Sequence, residues 1–199
     1  MNRLEPMKCV PVTLANDIVT LEPIALKHAA DFVDAIDESV FAYMPMRSSI
    51  GTLSEVRRYI EFQMKRTSTV VFTVIDNQTG KAIGSTSFME IRPDHYGLEI
   101  GSTWIRKSAR GTMVNPAMKH LMLGHAFENL DAIRVELKTD ERNAQSRAAI
   151  LKLGAEFEGI RRNHIIMPDG HFRNSACYSV VYTQWEAVCD GLLERVNAE

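Results

Sequence analysis

The chain changes its hydrophobic period several times. A short strand-like run at residues 17–21 stops at Pro23, and apolar residues then recur at helical spacing over 26–36 (Ala29, Phe32, Val33, Ile36). Pro45 closes that segment. Thr52 and Glu55 have the spacing of a capping box, which predicts a second helix running to about residue 66. The period then shortens: residues 69–75 are dense in β-branched side chains, 76–80 carry turn chemistry, and 81–91 read as the returning strand of a hairpin. A further strand is predicted over 98–105.

The second half alternates. Asn115 and Pro116 read as an N-cap followed by the first helical position. The stripe Met118, Leu121, Met122, Ala126 and Leu130 predicts a helix over 117–130. Residues 133–137 predict a strand and 143–153 a helix ending at Gly154, while 168–170 form a turn between two late strands. A final helix is predicted over 185–196. With no repeat, low-complexity run or linker, residues 1–199 read as one mixed α/β domain. Its order is helices, a hairpin, then strand, helix, strand, helix, strand, strand.

Composition narrows the class. Hydrophobic residues make up 45% and charged residues 24% of the 199 positions, an ordinary globular balance. A domain of that size buries about 70% of its unfolded surface, so it needs no covalent or metal staple. The net charge of −2 supplies no basic field for nucleic acid or anionic lipid. No apolar run approaches the ~18 residues that span a bilayer. The first eight residues are too charged for a secretory leader. Cys9, Cys177 and Cys189 are odd in number and lack CxxC spacing, which indicates neither a disulfide framework nor a zinc site. A cytoplasmic protein without nucleic-acid or membrane partners is expected; a homodimer is possible.

Two segments carry candidate chemistry. In residues 98–115 a strand feeds a loop that opens a helix, which aims free N–H groups and the positive end of the helix dipole at one spot suited to a phosphate. Arg106, Lys107 and Arg110 lie in that loop, yet neither the Walker ending nor the three-glycine dinucleotide fingerprint is present. A plain connection with solvated cations reads equally well from the loop alone. In residues 140–147, Asn143 and Ser146 begin a helix after a strand. Capping, worth ~1 kcal/mol, accounts for both, though the same groups can face a ligand beside the strand.

Taken together, these residues resemble the GNAT superfamily of acetyl-CoA-dependent N-acetyltransferases, in the branch of the ribosomal-protein N-terminal acetyltransferases. The carriers are the runs at 98–105, 109–112, 133–139, 143–147 and 153–155, with Tyr178 and Ser179, in that order and spacing. The resemblance covers about residues 17–185. It implies a mostly antiparallel mixed sheet with a splayed strand pair, flanked by helices, and acetyl-CoA as co-substrate without a metal. Trp104, Ile105 and Arg106 would line the pantetheine, and their backbone N–H groups would hold an oxyanion. Arg110, Gly111, Thr112, Met113, Val114 and Asn115 would cradle the pyrophosphate, with Asn143 and Ser146 beside the cofactor. Met113 and Asn115 replace small residues of the family loop, where glycine would permit a positive φ.

Glu99 alternates with Leu98 and Ile100 and so faces away from them. The resemblance places it near the substrate amine as a base; a strand-edge charge paired with a Lys or Arg is the plain alternative, and no partner that would raise its basicity is evident in the sequence. The tyrosine that many relatives use to protonate the leaving thiolate is replaced by Ile150, which makes Ser146 the candidate donor and Tyr178 the second. His120 and His125 are five apart, the wrong spacing for a shared helical face, and His164 and His171 flank a turn; none is read as a metal ligand. The ten methionines are read as mostly core, and Arg161 and Arg162 as a solvated pair. The expected activity is acetyl transfer to a primary amine, on a peptide or protein N-terminus or a small amino compound. The alternatives are a CoA-binding module without turnover and a non-enzymatic protein-interaction domain. Acceptor loops are expected at 41–51 and 92–97.

Overall fold

The computed structural model describes residues 5–45 and 50–197; four positions of the expected acceptor loop, 46–49, lie outside them. In chain order the elements are β1 (Leu14–Ala15), β2 (Val19–Pro23), α1 (Ala29–Ala35), α2 (Leu53–Met64), β3 (Val70–Asp76), β4 (Lys81–Arg92) and β5 (Gly97–Ile105). There follow α3 (Val114–Gly124), β6 (Arg134–Asp140), α4 (Ala144–Leu153), β7 (Glu156–Ile166), β8 (Phe172–Val181) and α5 (Trp185–Asn197). The strands make one sheet ordered β1-β2-β3-β4-β5-β6-β8-β7. Every neighbouring pair is antiparallel except β5 and β6.

Both faces of the sheet are covered. Leu98, Ile100, Ile105, Val135, Leu137, Ala176, Tyr178 and Val180 point into one core, shared with Met118, Met122 and Leu123 of α3, Ile150 of α4 and Leu192 of α5. Phe32, Val56, Tyr59, Ile60, Val71 and Trp104 build a second core under α1 and α2. This second layer covers the β2–β4 side, so the opposite face of β5, β6 and β8 carries polar side chains instead.

Several boundaries differ from the expectations above. The strand expected at 17–21 is β2 and pairs over Val19–Pro23, because Asn16 caps the preceding turn by accepting from the N–H groups of Ile18 and Val19. The predicted 117–130 helix begins three residues earlier, at Val114, and its last turn, His125–Asn129, is π-helical. Asn115 is therefore not the N-cap. Met113 holds that place, and Pro116 falls at the third helical position, still within the first turn where a missing N–H costs no helical bond. The 133–137 strand continues to Asp140. The methionines divide: Met7, Met118, Met122 and Met167 are buried, whereas Met64 and Met113 are exposed.

Candidate functional site

The pairing of β5 with β6 stops after three residue pairs, the last being Glu99 with Glu136. Beyond it β5 stays on β4 as far as Ile105 opposite Gly84, and β6 stays on β8 as far as Asp140 opposite Ser175. The two parallel strands thus separate toward their carboxyl ends and present unpaired backbone edges across a wedge. A β-bulge helps to open it. On β5 the stretch from Gly101 to Trp104 spans one residue more than its partner stretch from Ser87 to Ser85, and Ser102 takes a left-handed φ of 49°. Thr103 beside it is held by Thr86 (Oγ1 to Oγ1, 2.8 Å) and by Lys119 Nζ (3.1 Å). Lys119 is only 6% exposed, and burial pulls its pKa down to about 7.

The open end of the wedge leads into the loop before α3 and the start of α4. Gly111 takes a φ of 79°, and Met113 takes a right-handed turn (φ −70°, ψ −10°), so the loop reaches α3 without needing glycine at 113. The N–H groups of Gly111, Thr112 and Met113 donate to no backbone acceptor among the described residues. Together with the α3 dipole they form a cradle for an anion. Val114 donates to Thr112 Oγ1 at 3.3 Å and is only slightly exposed, while Asn115 lies half-buried inside the first turn.

Arg110 has a different position from the phosphate contact expected of it. Its Nε donates to the Ile105 carbonyl (2.9 Å) and its Nη1 to Ser39 Oγ (2.8 Å), with Asp37 at 3.9 Å. It pins the end of β5 to the segment after α1. Arg106 and Lys107 line a hollow with Asp34 and Asp37. Trp104 turns its side chain into the second core, where its indole N–H donates to Tyr59 Oη at 3.2 Å. The Arg106 N–H is taken by the Ile83 carbonyl (2.8 Å). Strand N–H groups alternate between edges, so of the three residues expected to hold an oxyanion it is Ile105 whose N–H faces the wedge.

At the narrow end of the wedge lies Glu99, 6% exposed, on the face opposite Leu98 and Ile100. Gly101 makes room for it, since a Cβ there would come within 3.0 Å of Glu99 Oε1. Lys138 Nζ lies 2.7 Å from Glu99 and 2.8 Å from Glu136. Glu136 also receives Arg92 (2.8 Å) and Arg134 (3.3 Å). Burial raises both carboxyls; at Glu136 the surrounding cations, Lys138 first, outweigh it and hold the pKa at about 2, whereas at Glu99 burial outweighs Lys138 and the pKa stays above the usual carboxylate range. The paired-charge alternative is therefore part of the structure, and the burial that accompanies it supplies the added basicity that the sequence left without a source.

Across the wedge, Asn143 caps α4 by accepting from the Ser146 N–H at 3.0 Å. Ser146 is half-buried, and its hydroxyl has no hydrogen-bond partner among the described residues. Tyr178 is 1% exposed and its Oη accepts from Arg147 Nε at 3.1 Å, which makes it a packed residue with an occupied oxygen. Lys138, Glu136 and Lys119 went unnoticed in the sequence. One signal was available for the first two: Arg134, Glu136 and Lys138 alternate with Val135 and Leu137, marking a strand with a charged face. Among the described residues no group of three or more His, Cys, Asp or Glu side chains could hold a metal ion.

Residues 19–156 match the acetyltransferase (GNAT) domain family. The chain is similar in structure to a protein from T. thermophilus assigned as an acetyltransferase, with 33% identity, coverage of 95% of this chain and 99% of that one, and a TM-score of 0.88. It is also similar to a GCN5-related N-acetyltransferase from Brucella melitensis, at 25% identity over 98% and 90% of the two chains with a TM-score of 0.92. The ribosomal-protein-S5-alanine acetyltransferase from Vibrio fischeri shares the fold, at 17% identity over 87% and 98% of the chains and a TM-score of 0.71. No curated protein matches the sequence. The splayed β5–β6 pair, the anion cradle before α3 and the extent of the family match give one conclusion: the chain belongs to the GNAT acetyltransferase family.

Proposed function

We propose that the protein transfers an acetyl group from acetyl-CoA directly to a primary amine, with no metal, and that the amine is an α-amino group on a peptide, a protein N-terminus or a small amino compound. The observation that carries this reading is the wedge with a buried, basic Glu99 at its narrow end and the anion cradle at its open end. Acetyl-CoA bound there supplies an activated acyl carbon as a thioester. The free edge of β5 pairs with an amide-bearing chain laid along it, and residues 111–113 with the α3 dipole receive the pyrophosphate. Glu99 takes a proton from the amine, directly or through one water, as nitrogen bonds to the acyl carbon. The Ile105 N–H donates to the oxygen on which charge develops. When the carbon–sulfur bond breaks, the Ser146 hydroxyl donates to the departing sulfur.

Proton affinity supports the α-amine. With a pKa near 7.7–8.0, roughly a tenth of an α-amine is free base at pH 7, against under about 0.1% for a lysine side chain. A single carboxylate, even one made more basic by burial, suits the easier deprotonation. The experiment compares kcat/KM for peptides that carry one internal lysine and either a free or a blocked N-terminus, with acetyl located by mass spectrometry. Acetylation confined to the free N-terminus is expected; equal rates with acetyl on lysine overturn the α-amine assignment. Thiol release from no amine, together with acetyl-CoA binding, would identify a CoA-binding module instead.

A further inference from the structure

On β8, Ala176, Tyr178 and Val180 point into the core shared with α3, so Arg173, Ser175 and Cys177 face the opposite side, the side of Glu99 and Lys138. Arg173 is 7% exposed, yet its guanidinium is barely engaged. One Nη1 hydrogen bond goes to the Tyr43 carbonyl at 3.1 Å, in the segment between α1 and α2. Its Nε is buried with no hydrogen-bond partner, and no carboxylate lies within ion-pair distance, among the described residues. The nearby acid is already used: Asp140 accepts from Arg142 Nε (3.0 Å), Arg142 Nη2 (2.7 Å) and the Arg142 N–H (2.9 Å).

A guanidinium stays charged at any physiological pH, and burying one with donors unmade is costly unless an anion completes it. Burial lowers the Arg173 pKa, and the charges of Asp140 and Glu99 act against that shift. The other buried side-chain polar atom without a partner among the described residues is Ser87 Oγ. Ser87 pairs with Gly101 beside Glu99, on the face opposite Phe88. Both unsatisfied groups thus belong to the side of the sheet from which an acceptor would approach Glu99. A planar fork of N–H donors matches a carboxylate.

We infer that the acceptor carries a carboxylate as well as its amine, and that Arg173 binds this carboxylate while the amine lies toward Glu99. The inference rests on the amine-acetylation reading above. It makes Arg173 a specificity-determining residue, with the Tyr43 carbonyl holding the guanidinium in place.

The test uses α-amino acids and short peptides that hold one carboxylate at increasing chain length from a free α-amine, together with the same compounds carrying a primary amide in place of that carboxylate. Thiol release with acetyl-CoA, and calorimetric binding in the presence of CoA, are measured for the wild type, Arg173→Gln and Arg173→Lys. In the wild type at least one chain length is expected to favour the carboxylate over its amide by about tenfold or more in kcat/KM, the size of a charged hydrogen-bonded contact. The ratio falls to about one in Arg173→Gln and recovers in part in Arg173→Lys, which keeps the charge but not the fork. Equal treatment of acid and amide by the wild type at every length overturns the inference whether or not the variants fold. A preference that persists in Arg173→Gln does the same. Release of no thiol from any acceptor would defeat the acetylation reading, and calorimetry then decides separately. Carboxylates that bind the wild type but not Arg173→Gln sustain the Arg173 site, and equal or absent binding overturns it.

Discussion

Parallel pairing of β5 with β6 sets Glu99 directly beside Glu136, two like charges that the fold reconciles with one ammonium, Lys138, between them. Burial outweighs Lys138 at Glu99 and keeps it above the usual carboxylate range, whereas Arg92 and Arg134 add to Lys138 at Glu136 and hold it below. Glu99 works as a base only when ionised, so the rate falls as pH drops through its pKa. Replacing Lys138 by Met removes the charge that lowers that pKa, so the acid limb of the kcat/KM profile moves to higher pH. Glu99→Gln abolishes that limb, leaving only the fall that follows protonation of the amine itself, and lowers the rate most. An acid limb that stays in place in Lys138→Met would assign it to a group other than Glu99. The orientation of Glu99 was legible because alternation along a strand is a local rule. Its partner was not, since Lys138 lies 39 positions away and meets it only through the parallel crossover.

At the scale of elements, signals confined to a few residues translated well and signals that compete did not. The capping box at Thr52, the cap at Asn143 and the left-handed Gly154 that ends α4 stand where their residue types place them. At α3, two N-terminal signals overlapped. Asn115 with Pro116 suggested one start, while Gly111 with Thr112, whose Oγ1 accepts from the Val114 N–H, sets the actual start earlier. The bulge at Ser102 left no trace, because nothing in a serine requires a positive φ. α4 separates capping from chemistry by experiment. Asn143→Ala removes the side-chain oxygen that holds the Ser146 N–H and should cost ~1 kcal/mol in denaturant unfolding. Ser146→Ala leaves that bond intact, so stability should change little. If its hydroxyl serves the leaving sulfur, kcat falls severalfold with acetyl-CoA affinity unchanged. A kcat equal to the wild type would transfer the role to water.

Across the whole molecule, the wedge is a local failure of pairing inside a sheet that is otherwise continuous from β1 to β7. The strands beside it are anchored on their outer edges, β5 by β4 and β6 by β8, and one face behind them is packed against α3, α4 and α5. The wedge is therefore a preformed slot, and a ligand that enters it meets backbone already ordered. Free backbone edges in a folded sheet exchange their amide protons faster than paired ones. Acetyl-CoA should thus slow hydrogen exchange at β5 residues 103 and 105, whose N–H groups face the wedge, and at 111–113 in the cradle, while α5 and β7 stay unchanged. The same ligand at 100 times its Kd should add ~2.7 kcal/mol to the unfolding free energy. Stabilisation of that size with protection spread evenly over all strands would mean that acetyl-CoA tightens the fold as a whole instead of filling the slot. Protection confined to the carboxyl end of α4 and to α5 would place it in the hollow lined by Leu151, Gly154, Val188 and Gly191, away from Glu99.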